Sequence, residues 1–214
     1  MKKAPFFNIK ALFVIIPLAV LIPILILRFR QQSKAETTPA FWRTVRHFQS
    51  YEFDSPFEVG SGMRMKQHFI RLIDEVRHRV GFVMSVSSGF RTPEHNSSIK
   101  NSNGVQYSSS NSPHMSGIAS DVLTNDLNDT LKLMTTIMQV RNQKYPTMSL
   151  GIGIYGSSSR PNGFFIHFDT REHRTAILQK DTMWTGNDYP QGGYRRLTSQ
   201  ELQLFKNIFN QYKK

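Results

Sequence analysis

The sequence predicts an α+β domain preceded by one transmembrane helix. Three observations lead there. An uncharged apolar run, ALFVIIPLAVLIPILIL, fills residues 11–27. Farther on, apolar residues recur at three- and four-residue steps in segments long enough for helices, and short stretches between them alternate with the two-residue period of strands. These segments mix without βαβ regularity and without an internal repeat, which favours α+β over a doubly wound fold.

As a helix, residues 11–27 would reach about 25 Å, the short end of the spanning range. Arg28 and Arg30 follow directly, where a signal peptide would place small residues for cleavage, so residues 1–30 read as an uncleaved signal-anchor. Pro17 and Pro23 are tolerated in such a span. Lys2, Lys3 and Lys10 before the run match Arg28, Arg30 and Lys34 after it, so flanking charge does not orient the segment. Residues 31–40 turn polar and read as a linker, leaving a folded domain over 41–214.

Within that domain, Met65, Phe69, Leu72, Ile73, Val76 and Val80 predict an amphipathic helix over 61–80, ended by Gly81. Phe82, Met84 and Val86 alternate as a strand over 82–88. Asp121 stands at the start of another strand. Leu127, Leu131, Met134, Ile137, Met138 and Val140 predict a helix over 126–144, stopped by Pro146. Strands are expected at 150–155 and 164–168. A closing helix is expected over 199–212, with Thr198 and Glu201 as its capping box. Residues 101–112 read as a polar loop.

Composition narrows the chemistry. Lys and Arg number 27 against 15 Asp and Glu, a net charge of +12, and there is no cysteine. Disulfides, thiolate metal sites, iron–sulfur clusters and a cysteine nucleophile are thereby excluded, and any metal must be held by histidines and carboxylates. The positive balance suits an anionic lipid surface, an acidic wall polymer or nucleic acid, and charge alone does not choose among them.

With cysteine absent, Ser112-Pro-His114-Met-Ser-Gly117-Ile-Ala119-Ser-Asp121 stands out. Gly117 and Ala119 are expected to let the backbone pass close to a bound ion. Downstream, Phe165, His167 and Asp169 fall on one strand face, because side chains repeat every two residues. Two imidazoles and a carboxylate meeting zinc leave its fourth position for water. Spacing alone leaves each of these histidines equally readable as a hydrogen-bonded residue. His47, His68 and His78 lie outside the motifs, and His68 and His78 are expected on the helix surface.

Four ordered motifs carry a resemblance: SGFRTPEHN at 88–96, SxHxxGxAxD at 112–121, GIGIY at 151–155 and FIHFDTR at 165–171. Over about 53–174 the chain resembles the zinc D-alanyl-D-alanine carboxypeptidase family, which includes VanX-type dipeptidases, bacteriophage endolysins and the amino-terminal domain of hedgehog proteins. The FDSP and SGMRM lead-in is similar to phage-encoded members, which implies either a viral or prophage origin or, as the alternative, a bacterial wall-remodelling enzyme.

The resemblance implies a small antiparallel sheet with flanking helices, Zn2+ as cofactor and zinc ligands at His114, Asp121 and His167. It implies that Arg91 grips a substrate carboxylate or a developing oxyanion, the alternative being that Arg91 ties down its own loop. Many members carry an acidic base three residues before the last histidine, where this chain has Phe164. Asp169 is then the nearest candidate base, or else a group that orients His167. Ser112 either meets substrate or caps the turn before His114, and His95 either reaches the site or only begins a short helix after Pro93. Tyr155 and Trp184 either line the cleft or pack in the core.

The activity implied is that of a membrane-anchored zinc metallopeptidase cleaving a peptide bond in peptidoglycan, as a D,D-carboxypeptidase or an endolysin-like endopeptidase. Its partners would be peptidoglycan stem peptides and, through the amino-terminal helix, the inner membrane, with the single-pass chain holding its domain in the periplasm. No nucleic acid is expected as a partner. The alternative is a non-catalytic zinc-containing domain that binds the cell wall.

Overall fold

A computed structural model describes residues 37–101, 103–160, 162–171 and 180–214. The expected anchor and most of the expected linker lie outside the described residues, and among those described no helix is long and apolar enough to cross a membrane. The packed chain reaches back to Thr37, whose N–H bonds Met65 O at 3.0 Å and whose hydroxyl bonds Met63 O at 2.7 Å. Helix α1 (Pro39–Trp42) is capped by the Thr38 hydroxyl, starts on a proline and buries Phe41 and Trp42.

Helix α2 (Gln67–Val80) is shorter than the segment expected over 61–80, because Ser61–Arg64 forms a separate 3-10 turn and Met65 is extended. Gly81 ends α2 in the left-handed region at φ 76°. Strand β1 (Ser85–Ser88) takes only the second half of the alternating stretch. Helix α3 (Pro93–Ser98) is capped by Thr92, and strand β2 spans Ala119–Thr124. Helix α4 (Leu127–Lys144) begins after Asp126, whose carboxylate accepts the Asp129 N–H at 2.8 Å. Strands β3 (Leu150–Gly156), β4 (Phe164–Thr170) and β5 (Thr182–Thr185) follow, and helix α5 (Ser199–Tyr212) opens with the Thr198–Glu201 capping box.

The five strands form one sheet in the order β1-β2-β4-β3-β5. The expectation of an antiparallel sheet needs correction: β5 runs parallel to β3, so the sheet is mixed. Strand β5 lies on the edge of β3 away from β4 and runs in the direction of β3, which a hairpin partner of β4 would not do.

Strand parity divides the sheet. Val122, Ile152, Ile154, Ile166 and Phe168 are all buried in the core. Phe168 meets Phe69 of α2 at 5.3 Å between ring centroids, and Phe164 meets Phe205 of α5 at 6.0 Å. Each such side chain contributes roughly 1.5–3 kcal/mol through burial. Met134 and Met138 are fully buried as core packing. His68 departs from its expected surface position. It is 5% exposed and its Nε2 lies 3.0 Å from the Thr170 hydroxyl, because it sits one helical turn before Leu72 on the buried stripe.

The carboxyl-terminal segment belongs to the same body. The Arg141 guanidinium and Asp181 carboxylate form a bidentate pair with neither side chain exposed. Asp181 also accepts the N–H of Leu150 and of Lys214, each at 2.9 Å. One carboxylate thereby ties α4, the start of β3 and the chain terminus together.

Candidate metal centre

On the face opposite the core, one register row crosses the whole sheet. Ser88, Asp121, His167, Gly153 and Trp184 are successive partners from β1 through β2, β4 and β3 to β5. Paired positions share a face at about 5 Å between side-chain bases, so this row lays its chemistry side by side.

His114 reaches the row from a 3-10 turn, Pro113–Ser116, that leads into β2. Gly117 closes that turn in the left-handed region at φ 68°, and a Cβ there would stand 2.3 Å from Arg64 O. Gly117 therefore lets the turn back onto the chain before α2, and the expected close approach to an ion is not its role. Ala119 is fully buried and paired with Asp169.

His114 Nε2 lies 3.0 Å from His167 Nδ1 and 3.3 Å from Asp121 Oδ1, and His167 Nδ1 lies 2.9 Å from Asp121 Oδ1. In a tetrahedral zinc site with ligand bonds near 2.0–2.1 Å the donors stand about 3.3 Å apart, so this triangle has the size of one face of that tetrahedron. Among the described residues, this is a set of histidines and carboxylates able to hold a metal ion.

The two rings are held by opposite nitrogens. His114 Nδ1 meets Gly89 O at 2.7 Å, and His167 Nε2 meets Asp169 Oδ2 at 3.1 Å. Each partner accepts an N–H, which leaves Nε2 of His114 and Nδ1 of His167 as lone pairs aimed at Asp121. The residues present fit a zinc ion.

Electrostatics set the two rings apart: His114 is held neutral, whereas His167 without a metal keeps a second proton, shared with Asp121, that a bound ion would displace. Burial pushes His114 down to about 4, which favours the neutral imidazole that a metal requires. Burial also opposes charge on His167, but its hydrogen bonds to Asp121 and Asp169 outweigh that and hold it up at about 9. Asp121 is desolvated as well, yet His114 and Arg91 keep its carboxyl well below the usual range.

Arg91 points into this cluster. Its Nε donates to Ser88 Oγ at 2.9 Å and its Nη2 to Asp121 Oδ2 at 2.5 Å. Arg91 thus occupies the outer oxygen of Asp121 and leaves Oδ1 to the histidines. Asp169 is 1% exposed, with Oδ2 on the far nitrogen of His167 and Oδ1 3.1 Å from Arg171 Nε. Asp169 thus meets His167 at the ring nitrogen opposite the one that faces Asp121.

Phe164 is 2% exposed and packs against Phe205. Three residues before His167 is odd parity on a regular strand, so this position faces the core, away from the donors. An acid at 164 would need a different backbone to reach them.

Other sequence candidates are also placed. Ser112 precedes the His114 turn, and its carbonyl accepts the Met115 N–H at 3.0 Å. His95 lies 3.1 Å from Ser55 Oγ and stacks on Phe57, and does not join the ligand cluster. Trp184 and Tyr155 meet at the site: the indole stands 5.4 Å from the His167 ring and Nε1 donates to Tyr155 Oη at 2.5 Å. Two contributors escaped sequence reasoning, the Gly89 carbonyl and the Ser88 hydroxyl. Both lie in the SGFR motif, whose signal was read only through its arginine.

A family model described as Peptidase M15 matches residues 30–169. No curated protein matches the chain, and no solved structure matches it.

Proposed function

The chain belongs to the peptidase M15 family, and from that premise we propose that it is a membrane-tethered zinc peptidase that hydrolyses a peptide bond in the stem or cross-bridge of bacterial peptidoglycan. The observation that carries this reading is the triangle of His114 Nε2, His167 Nδ1 and Asp121 Oδ1, with edges of 2.9–3.3 Å. Zinc held there would polarise the scissile carbonyl and lower the pKa of water.

The chain's own groups do the rest. Gly89 and Asp169 keep both imidazoles in the ligating tautomer, and Arg91 keeps Asp121 ionised. The guanidinium of Arg91 also fixes positive charge beside the row, suited to a substrate carboxylate. Asp121 and His167 each keep a tenth of their side chains exposed while His114 is closed off, so substrate approaches from the strand side. Hydrolysis consumes one water, with hydroxyl added to the acyl carbon and a proton to the departing amine.

In this reading residues 1–30 anchor the chain in the inner membrane, and the domain works on the periplasmic side, where murein lies. The net charge of +12 supports docking on anionic lipid or wall polymer.

The test is to incubate the full-length protein with purified peptidoglycan, with and without chelator, and identify the fragments by mass spectrometry. New peptide termini that vanish with chelator and return with zinc support the reading and name the bond. A folded, zinc-loaded protein that releases none leaves the wall-binding alternative in its place.

A further inference from the structure

Two of the donors on Arg91 are already spent on Ser88 and Asp121. A peptidase site still needs a hydrogen-bond donor where negative charge develops on the scissile carbonyl oxygen. The row on the sheet supplies one. Gly153 is the cross-strand partner of His167 on one side and of Trp184 on the other. A Cβ on Gly153 would stand 2.5 Å from Trp184 Nε1 and 2.8 Å from Tyr155 Cε2. Tyr155 therefore leans back over Gly153, the row position beside His167, instead of standing out from its own position on β3.

The hydroxyl is aimed as well as placed. Its oxygen accepts the Trp184 N–H at 2.5 Å, which occupies a lone pair and leaves the O–H proton to donate elsewhere. The ring is clamped by Phe165, stacked at 4.5 Å and 6°, and by Tyr194 at 4.6 Å. Trp184 is itself held between His167 and the Arg171 guanidinium, 4.9 Å from the indole. Such a donor needs little reorganisation during a reaction. Burial raises the Tyr155 pKa, with the Trp184 hydrogen bond working against it and the Asp121 carboxylate adding to it, so the hydroxyl keeps its proton.

Resting on the peptidase reading, we infer that Tyr155 is a catalytic hydrogen-bond donor to the developing oxyanion of the scissile carbonyl, and that Trp184 is the positioning residue that aims it. Trp184 lies beyond residues 30–169, so the carboxyl-terminal segment completes the site.

The experiment compares the full-length protein with Tyr155→Phe, Trp184→Phe and the double variant, each checked for zinc content and melting temperature. Turnover of muropeptides and affinity for a phosphinate dipeptide, a mimic of the tetrahedral state, are both measured. Tyr155→Phe is expected to lower kcat by about 100-fold with KM within twofold, and to weaken the phosphinate at least tenfold at unchanged zinc content. Trp184→Phe is expected to lower kcat by a smaller factor, and the double variant to be no worse than Tyr155→Phe, since both act through one hydroxyl.

Retention of kcat and phosphinate affinity within twofold in Tyr155→Phe would overturn the inference, and fully multiplicative losses would overturn the role of Trp184. A zinc-loaded wild type that neither cleaves muropeptides nor binds the phosphinate overturns the peptidase reading itself, a result seen without any variant. Tenfold weaker phosphinate binding in Tyr155→Phe supports the donor role even where the natural substrate differs.

Discussion

His167 Nε2 and Asp169 Oδ2 face each other at 3.1 Å on the side of the ring turned away from His114 and Asp121. Two residues apart on one strand, they share a face, and the carboxylate takes the N–H that would otherwise compete with ligation through Nδ1. Asp169 is in turn fixed by Arg171.

Asp169→Asn therefore should weaken zinc about 10- to 100-fold, read by competition with a chromophoric chelator. Loss of turnover with zinc affinity unchanged would instead make Asp169 the proton acceptor.

His114→Ala and His167→Ala should each abolish stoichiometric zinc, measured by elemental analysis of the purified protein. Zinc at 100 times its dissociation constant should stabilise the wild type by about 2.7 kcal/mol and leave both variants unmoved. Full zinc occupancy in either variant would refute that ligand.

Asp181→Ala should cost about 3–5 kcal/mol in denaturant unfolding, because it strands the Arg141 charge where neither side chain is exposed. The loss includes acceptors for the N–H groups of Leu150 and Lys214. A cost below about 1 kcal/mol would mean that Arg141 finds other partners.

Glu75 gives the pH dependence. Burial would raise its pKa, but Lys144, Arg79 and Arg46 outweigh it and hold the carboxyl down at about 2, below the ordinary 4.5. A depressed folded-state value stabilises above the unfolded pKa, so this contribution is complete above about pH 5 and fades as pH falls from 4.5 toward 2. Arg46 and Lys144 are nearly half exposed, so solvent trims the worth of the cluster to about 1–2 kcal/mol at neutral pH. Glu75→Gln should lose that amount at pH 7 and converge on the wild type near pH 2, in melts across the range.

Gly153→Ala should disturb the Trp184–Tyr155 contact, since its Cβ would meet the indole at 2.5 Å. A cost of about 1–3 kcal/mol is expected by thermal melts, accompanied by a change in indole fluorescence. A variant as stable as wild type, with an unchanged spectrum, would show that the indole has room to move.

Much of this was legible in the chain itself. The stripes of α2, α4 and α5 follow from three- and four-residue spacing, and Thr198 with Glu201 marks the start of α5 because a capping box is a local device. His68 leaves the surface that its polarity predicts because it lies on the stripe through Leu72 and Thr170 gives its ring a buried hydrogen-bonding partner. The bounds of α2 also slipped, since Ser61–Arg64 repeats a helical pattern in a separate turn.

The sequence by itself determined which kinds of side chain could meet a metal. Its lack of cysteine leaves histidine and carboxylate, and two-residue parity puts His167 and Asp169 on one face. Only the tertiary structure decided who stands beside them. Strand order brings Asp121 and Gly153 to either side of His167, and the parallel return of β5 brings Trp184 to the end of the same row. Parity names a face, but neighbours across a sheet depend on register and strand order. Those are set by how the whole core packs.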